Sequence, residues 1–194
     1  MRKLLLLLIS ILSLHSYTNA QNATLLGTIQ TINDEDVGGV AVTIYDASDN
    51  LISSTTVSGN FSFGGLTEGE TYTLVFEKDV DPVNGVSTLD LVLTTKHILA
   101  LQEFDSSYKI MAADVNDSQT VTTFDLIVAR KLILAINESL PSPSWRFLLA
   151  DLPFSLNPFG PTYNEVEVTI SGQTETIEIT GFKMGDVNVS AVAN

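Results

Sequence analysis

The chain predicts an α+β, multi-domain protein: a small antiparallel β-sandwich, then a pair of loop–helix units, then a C-terminal β-hairpin. Three observations predict it. Apolar residues alternate with period two between residues 23 and 78, broken by turn clusters. Two stretches, Asp79–Leu101 and Asp114–Ile136, are copies of one unit set 35 residues apart, with ten of 23 aligned positions identical. A second alternating stretch runs from Asn164 to Gly181 around Ser171-Gly172-Gln173.

In the first stretch the inward-facing positions are Val40, Val42 and Ile44, then Phe61 and Phe63, then Tyr72, Leu74 and Phe76. Asn33-Asp34, Gly38-Gly39, Ser48-Asp49-Asn50, Ser58-Gly59-Asn60 and Glu68-Gly69 supply turns between them. Short strands at such spacing predict a sandwich over 21–78.

Each repeat carries oxygen where a hard cation needs it. A twelve-residue calcium loop takes side-chain ligands at positions 1, 3, 5, sometimes 9, and 12, and a main-chain carbonyl at 7. In the second copy these are Asp114, Asn116, Ser118, Thr122 and Asp125, with the carbonyl of Thr120. In the first they are Asp79, Asp81, Ser87 and Asp90, with Gly85 at position 7 and the apolar Val83 at position 5. The second loop is therefore expected to bind calcium more completely than the first. Val86 and Val121, both at position 8, are expected to meet in a short strand contact. The period then turns helical, through Leu91, Val92, Ile98, Leu99 and Leu101 in one copy and Leu126, Ile127, Leu132, Ile133 and Ile136 in the other. Neither helix can bury its apolar face alone, so these faces are expected to pack on each other. Acidic N-caps alone would explain Asp90 and Asp125 without metal; they do not explain alternate-residue oxygen upstream, twice, in matching register. No helical pattern precedes either loop.

This pair resembles dockerin, a module that plugs secreted proteins into cohesin-bearing scaffolds. The features that carry the resemblance are the paired loop–helix units over 79–140, closed by Asp90 and Asp125 rather than Glu, with no entering helix. Gly is missing at position 6, where Asn84 and Gln119 stand. The resemblance implies Ca2+ as the ligand, an EF-hand-like calcium module and a cohesin-like or other surface protein as partner. It also implies partner-binding positions just before the closing Asp and along the helix: Thr88, Leu89 and Lys96, with Thr123, Phe124 and Lys131. The run Thr56–Leu74 with Gly27 and Gly39-Val-Ala-Val42 is similar to the prealbumin-like carboxypeptidase-regulatory or Cna-B-type domain, which implies a spacer or stability module. Relatives of that kind can carry a Lys–Asn crosslink; with no Lys between Leu4 and Glu77, the early strands here have none.

Beyond Leu140-Pro-Ser-Pro143, residues 141–194 are expected to form a β-hairpin that packs on the repeat, together with the apolar Trp145–Leu149. The closing Gly185-Asp186-Val187-Asn188 repeats the Asp-Val-Asn that opens the second loop. It reads as the stump of a third loop, as an oxygen donor to the incomplete first site, or as coincidence in an acidic tail.

Residues 1–20 read as a secretory signal: Arg2-Lys3, an apolar run from Leu4 to Leu12, and Thr18 and Ala20 before a cleavage point. That run is too short to span a bilayer comfortably. Net charge is −14 with no cysteine, which disfavours nucleic acid and anionic lipid and excludes disulfide staples. Past the signal the one histidine is His97, and neither zinc spacing nor a phosphate-cradling glycine loop occurs, so no enzyme chemistry is expected. The whole arrangement is similar to secreted or cell-surface proteins of Bacteroidetes-type bacteria. It implies a non-catalytic adaptor docking through calcium, with polysaccharide degradation as one setting. The rival readings are a carbohydrate-binding accessory, using the sandwich or the Trp145 region, and a structural surface protein that calcium stabilises.

Overall fold

The first part of the chain forms five strands, β1 (Asn22–Gln30), β2 (Val40–Asp46), β3 (Leu51–Val57), β4 (Asn60–Thr67) and β5 (Thr71–Glu77), of which all but the exposed β3 alternate in burial. The computed structural model describes residues 22–160 and 163–194; the expected signal lies outside the described residues. Three helices follow, α1 (Thr88–Ile98), α2 (Ser107–Ala113) and α3 (Thr123–Ile133), and then β6 (Trp145–Leu149), β7 (Glu165–Thr169) and β8 (Thr174–Lys183).

The expected division into a sandwich, a separate dockerin-type module and a terminal hairpin is overturned. The chain forms two four-stranded sheets, ordered β4-β1-β8-β6 and β3-β2-β5-β7, each built from both ends of the sequence. β7 pairs antiparallel with β5, and β8 lies between β1 and β6, parallel to β1 with Thr24 opposite Thr174. The reason is unpaired edges: five strands alone leave β1 and β5 with open ladders, and the alternating C-terminal residues need an apolar face to bury. Ser171-Gly172-Gln173 is consequently a crossing between sheets rather than a hairpin turn. It is held at both ends, by Ile170 N–H to Glu70 C=O at 3.0 Å and Thr24 N–H to Gln173 C=O at 3.0 Å.

The sheets bury one core between them, from Leu25, Ile29, Phe61, Phe63, Phe147 and Ile179 on one side to Val42, Ile44, Leu74, Phe76, Val166 and Val168 on the other. Gly27 makes room there, since a Cβ would lie 2.0 Å from the Phe61 ring. Trp145 is 1% exposed, with the Lys78 ammonium 5.1 Å from its ring centroid.

The helices form a third layer on the back of the β8–β6 sheet. Leu148 and Phe182 alternate away from the sandwich core and join Ile110, Met111, Val128, Leu132 and Met184 in a second core. α2 precedes the second loop directly, so that loop does have an entering helix. Six of its seven residues are buried, which erased the amphipathic period by which it could have been read. Among the described residues no helix is long and apolar enough to cross a membrane.

Candidate cation loops and the exposed helix pair

Between α2 and α3 the chain from Asp114 to Asp125 folds around its two carboxylates. Asp114 Oδ1 accepts the Ser118 N–H at 2.9 Å and Oδ2 the Gln119 N–H at 2.7 Å. Asp125 closes the loop: its Oδ1 accepts the Asn116 N–H at 3.3 Å and its Oδ2 the Thr122 N–H at 2.7 Å. The Ser118 hydroxyl donates to the Thr120 carbonyl at 3.1 Å. Thr122 N-caps α3, and with Asp125 it makes a capping box. Gln119, at position 6, takes φ 61°, the left-handed turn for which a glycine is usually used. From the sheet behind, Arg146 reaches Asp117 at 2.9 Å and fixes the loop to β6.

The first repeat keeps only the second half of this arrangement. Ser87 N-caps α1, and Asp90 Oδ2 accepts the Ser87 N–H at 2.8 Å, as Asp125 does from Thr122. The first half comes from the residues after β8. Asp90 Oδ1 accepts the N–H groups of Val187 and Asn188 at 2.9 and 3.1 Å. Asp186 Oδ1 accepts the Ser190 N–H at 3.1 Å and Oδ2 the Ala191 N–H at 2.7 Å. The Ser190 hydroxyl donates to the Gly85 carbonyl at 3.2 Å. Asp186, Asn188, Ser190, Gly85 and Asp90 thus take the places of Asp114, Asn116, Ser118, Thr120 and Asp125, with the difference that Asn188 Oδ1 lacks the N–H that Asn116 Oδ1 accepts. The backbone agrees as well, with φ 57° at Val189 and 58° at Asp117.

Asp79 and Asp81, expected at positions 1 and 3, are drawn elsewhere. Asp79 Oδ1 accepts the Ser144 N–H at 2.9 Å, and both residues are exposed, as is Val83. Nor do Val86 and Val121 join main chains: the Val86 N–H turns back to Val83 at 2.9 Å. The two loops are tied instead by Gly185 N–H to Ala112 C=O at 2.7 Å.

The carboxylates of Asp90, Asp114, Asp125 and Asp186 are buried, at 2% exposure for Asp90 and Asp114, 1% for Asp125 and 5% for Asp186, while Asp117 is exposed. Burial pushes the Asp114 carboxyl above its usual range, against the pull of the Ser118 and Gln119 N–H groups and with help from the Asp125 charge. Asp186 is raised in the same way, by burial first and by the Asp90 charge. Two like charges held together in a low-dielectric site are a cost that a cation would remove. Among the described residues no three Asp, Glu, His or Cys side chains converge. Each loop brings two buried carboxylates, with amide, hydroxyl and carbonyl oxygen beside them; this donor set suits a hard cation and offers a soft one nothing.

The exposed helix surfaces also repeat. Leu89, Val92, Leu99 and Leu101 on and after α1 match Phe124, Ile127, Leu134 and Ile136 on and after α3, and all eight are between 48% and 74% exposed. Val92, Leu99, Leu101, Ile127 and Ile136 were expected to be buried between the helices. The buried residues of the two helices are instead Asp90 and Thr94 on α1 and Asp125, Val128, Ala129 and Leu132 on α3, with Leu91 and Ile133 partly buried against the same core. Thr88, Thr123 and Lys131 are exposed beside this apolar surface, and Lys96 is half-buried, donating to Gln102 Oε1 at 3.3 Å.

His97 is committed to packing. Its Nδ1 accepts the Phe104 N–H at 3.2 Å, its ring stacks on Phe104 at 4.5 Å, and burial holds its pKa below the ordinary value. Neither a family model nor a curated protein matches the chain.

Proposed function

We propose that this chain is a secreted, non-catalytic docking protein whose loop–helix pair binds Ca2+ and presents the α1–α3 surface to a protein partner, in the manner of dockerin and cohesin. The observation that carries the reading is the Asp114–Asp125 loop. Two buried carboxylates, Asp114 and Asp125, sit with hydroxyl and carbonyl oxygen in one loop, and the Arg146 guanidinium that reaches the loop is paired with Asp117. Asp114, Asn116, Ser118, the Thr120 carbonyl and Asp125 would hold the ion, whose charge would offset that of the two buried carboxylates.

The eight exposed apolar side chains form the partner surface. They are paired by an offset of 35 residues, so two orientations present nearly the same face. Large exposed apolar patches rimmed by polar residues mark interaction sites, and Lys96, Lys131 and Arg130 favour a partner with acidic groups at its rim. The glycan reading loses the Trp145 platform, because that indole is enclosed in the core.

The test is binding to a panel of cohesin-type domains, with calcium and with chelator. Calcium-dependent binding that Leu89→Asp with Phe124→Asp abolishes is the expected result. No binding to any domain, alongside retention on a glycan array, would replace this reading with the carbohydrate-binding one.

A further inference from the structure

We infer that the chain holds a second cation site, split between two distant segments and closed by the residues after β8. It is built from the Gly85 carbonyl and Asp90 on the first repeat with Asp186, Asn188 and Ser190. This rests on the calcium reading of the Asp114–Asp125 loop and goes beyond it, since neither Asp79 nor Asp81 takes part.

Two independent features point to a ligand. Five hydrogen bonds that shape the contiguous loop recur here: Asn188 to Asp90 and Ser190 to Gly85 join segments about a hundred residues apart, while Ser190 and Ala191 to Asp186, and Ser87 to Asp90, are local. In addition, the side-chain oxygen of Asn188, at position 3, is fully buried and has no hydrogen-bond partner. Its counterpart Asn116 Oδ1 accepts the Ser118 N–H at 3.0 Å. An orphaned buried carbonyl costs about 1–3 kcal/mol unless something positive meets it, and a cation shared with Asp90 and Asp186 would do so. The Lys183 ammonium feels Asp186 electrostatically but makes no ion pair and has no hydrogen-bond partner.

The split has a structural cause. Gly85 takes φ 78°, and a Cβ there would lie 2.6 Å from Ala191, so glycine lets the tail lie against the loop. Asn84 then grips Val192 from both sides, donating to its carbonyl at 2.8 Å and accepting its N–H at 3.0 Å. Farther on, the main-chain oxygen of Asn194 accepts from Lys78 at 2.6 Å, and that of Ala193 from the Gly38 N–H. An ion at the split site would therefore clasp the end of β8 to α1 and press the last residues onto the sandwich.

Calcium titration calorimetry and hydrogen exchange on the secreted chain decide the matter. Two ions are expected to bind. Asp186→Asn and Asp114→Asn should each remove one, and Asp79→Asn neither. Calcium should slow exchange over residues 185–194 in the natural chain and not in Asp186→Asn. Asn188→Ala, a milder change, should weaken one site by about tenfold with circular dichroism unchanged. A single ion lost with Asp114→Asn, or two ions with one lost in Asp79→Asn, would overturn the split site and leave the calcium reading standing. No binding of calcium at all would overturn both.

Discussion

Lys183 shows how a single side chain can work against the fold. It lies at the end of β8 with 3% exposure, and its ammonium has no partner. Burial pulls its pKa down to about 8, against the attraction of Asp79, Asp81 and Asp186. Because that value lies below the ordinary 10.5, the folded protein gives up its proton sooner than the unfolded chain. Stability should therefore rise as pH climbs from about 8 towards 10.5. Lys183→Met removes the buried charge and should raise stability at neutral pH by about 1–3 kcal/mol, flattening the alkaline rise; urea melts across that pH range in chelator check both. At this scale the contiguous loop was legible, because Asp114, Asn116, Ser118 and Asp125 sit at fixed offsets. The split loop was legible only as a fragment. Asp186-Val-Asn188 carried the signal, with Ser190 continuing it, but nothing local in a sequence says which distant half-loop a fragment completes.

The helices were read correctly as elements and wrongly as faces. An apolar periodicity says that one stripe of a helix avoids water, not whether a neighbour within the chain or a partner outside it covers that stripe. Leu99 belongs to the outward stripe, so Leu99→Asp should change stability by no more than about 0.5 kcal/mol. Leu132 is completely enclosed, and Leu132→Ala should cost about 2–5 kcal/mol. Chemical denaturation of the two variants tests the assignment, and a large loss for Leu99→Asp would contradict it. α2 escaped the reading for the opposite reason: Tyr108, Ile110, Met111, Ala112 and Ala113 are all buried, so they show no contrast between faces. The strands were easier. Alternation in β2, β4 and β5 survives into their burial because each has one face on the core.

For the whole molecule, alternation in β7 and β8 showed that strands form but could not say with what they pair. A turn signal between two strands favours a hairpin locally, and the open edges of β1 and β5 outcompeted it. It follows that residues 21–78, read from sequence as a self-sufficient sandwich, form only part of one. That fragment would keep β4 beside β1 and the β3-β2-β5 ladder while losing β6, β7 and β8. Expressed alone, it is expected to show no cooperative thermal transition, whereas the chain from 21 to 194 should melt cooperatively. A cooperative transition in the fragment would show that β7 and β8 are dispensable additions.

The parallel pairing of β1 with β8 also sets a timetable. Thr24 finds Thr174 only after everything between them has been made, and contacts of such long range fold slowly. Until then β1 has β4 on one side and an open ladder on the other, while local elements such as α1 and α3 can form and unform freely. The nascent chain should accordingly stay pliable until β8 emerges, and should commit to its final shape late and almost at once. The strand that closes the sheet is also the one that delays closure.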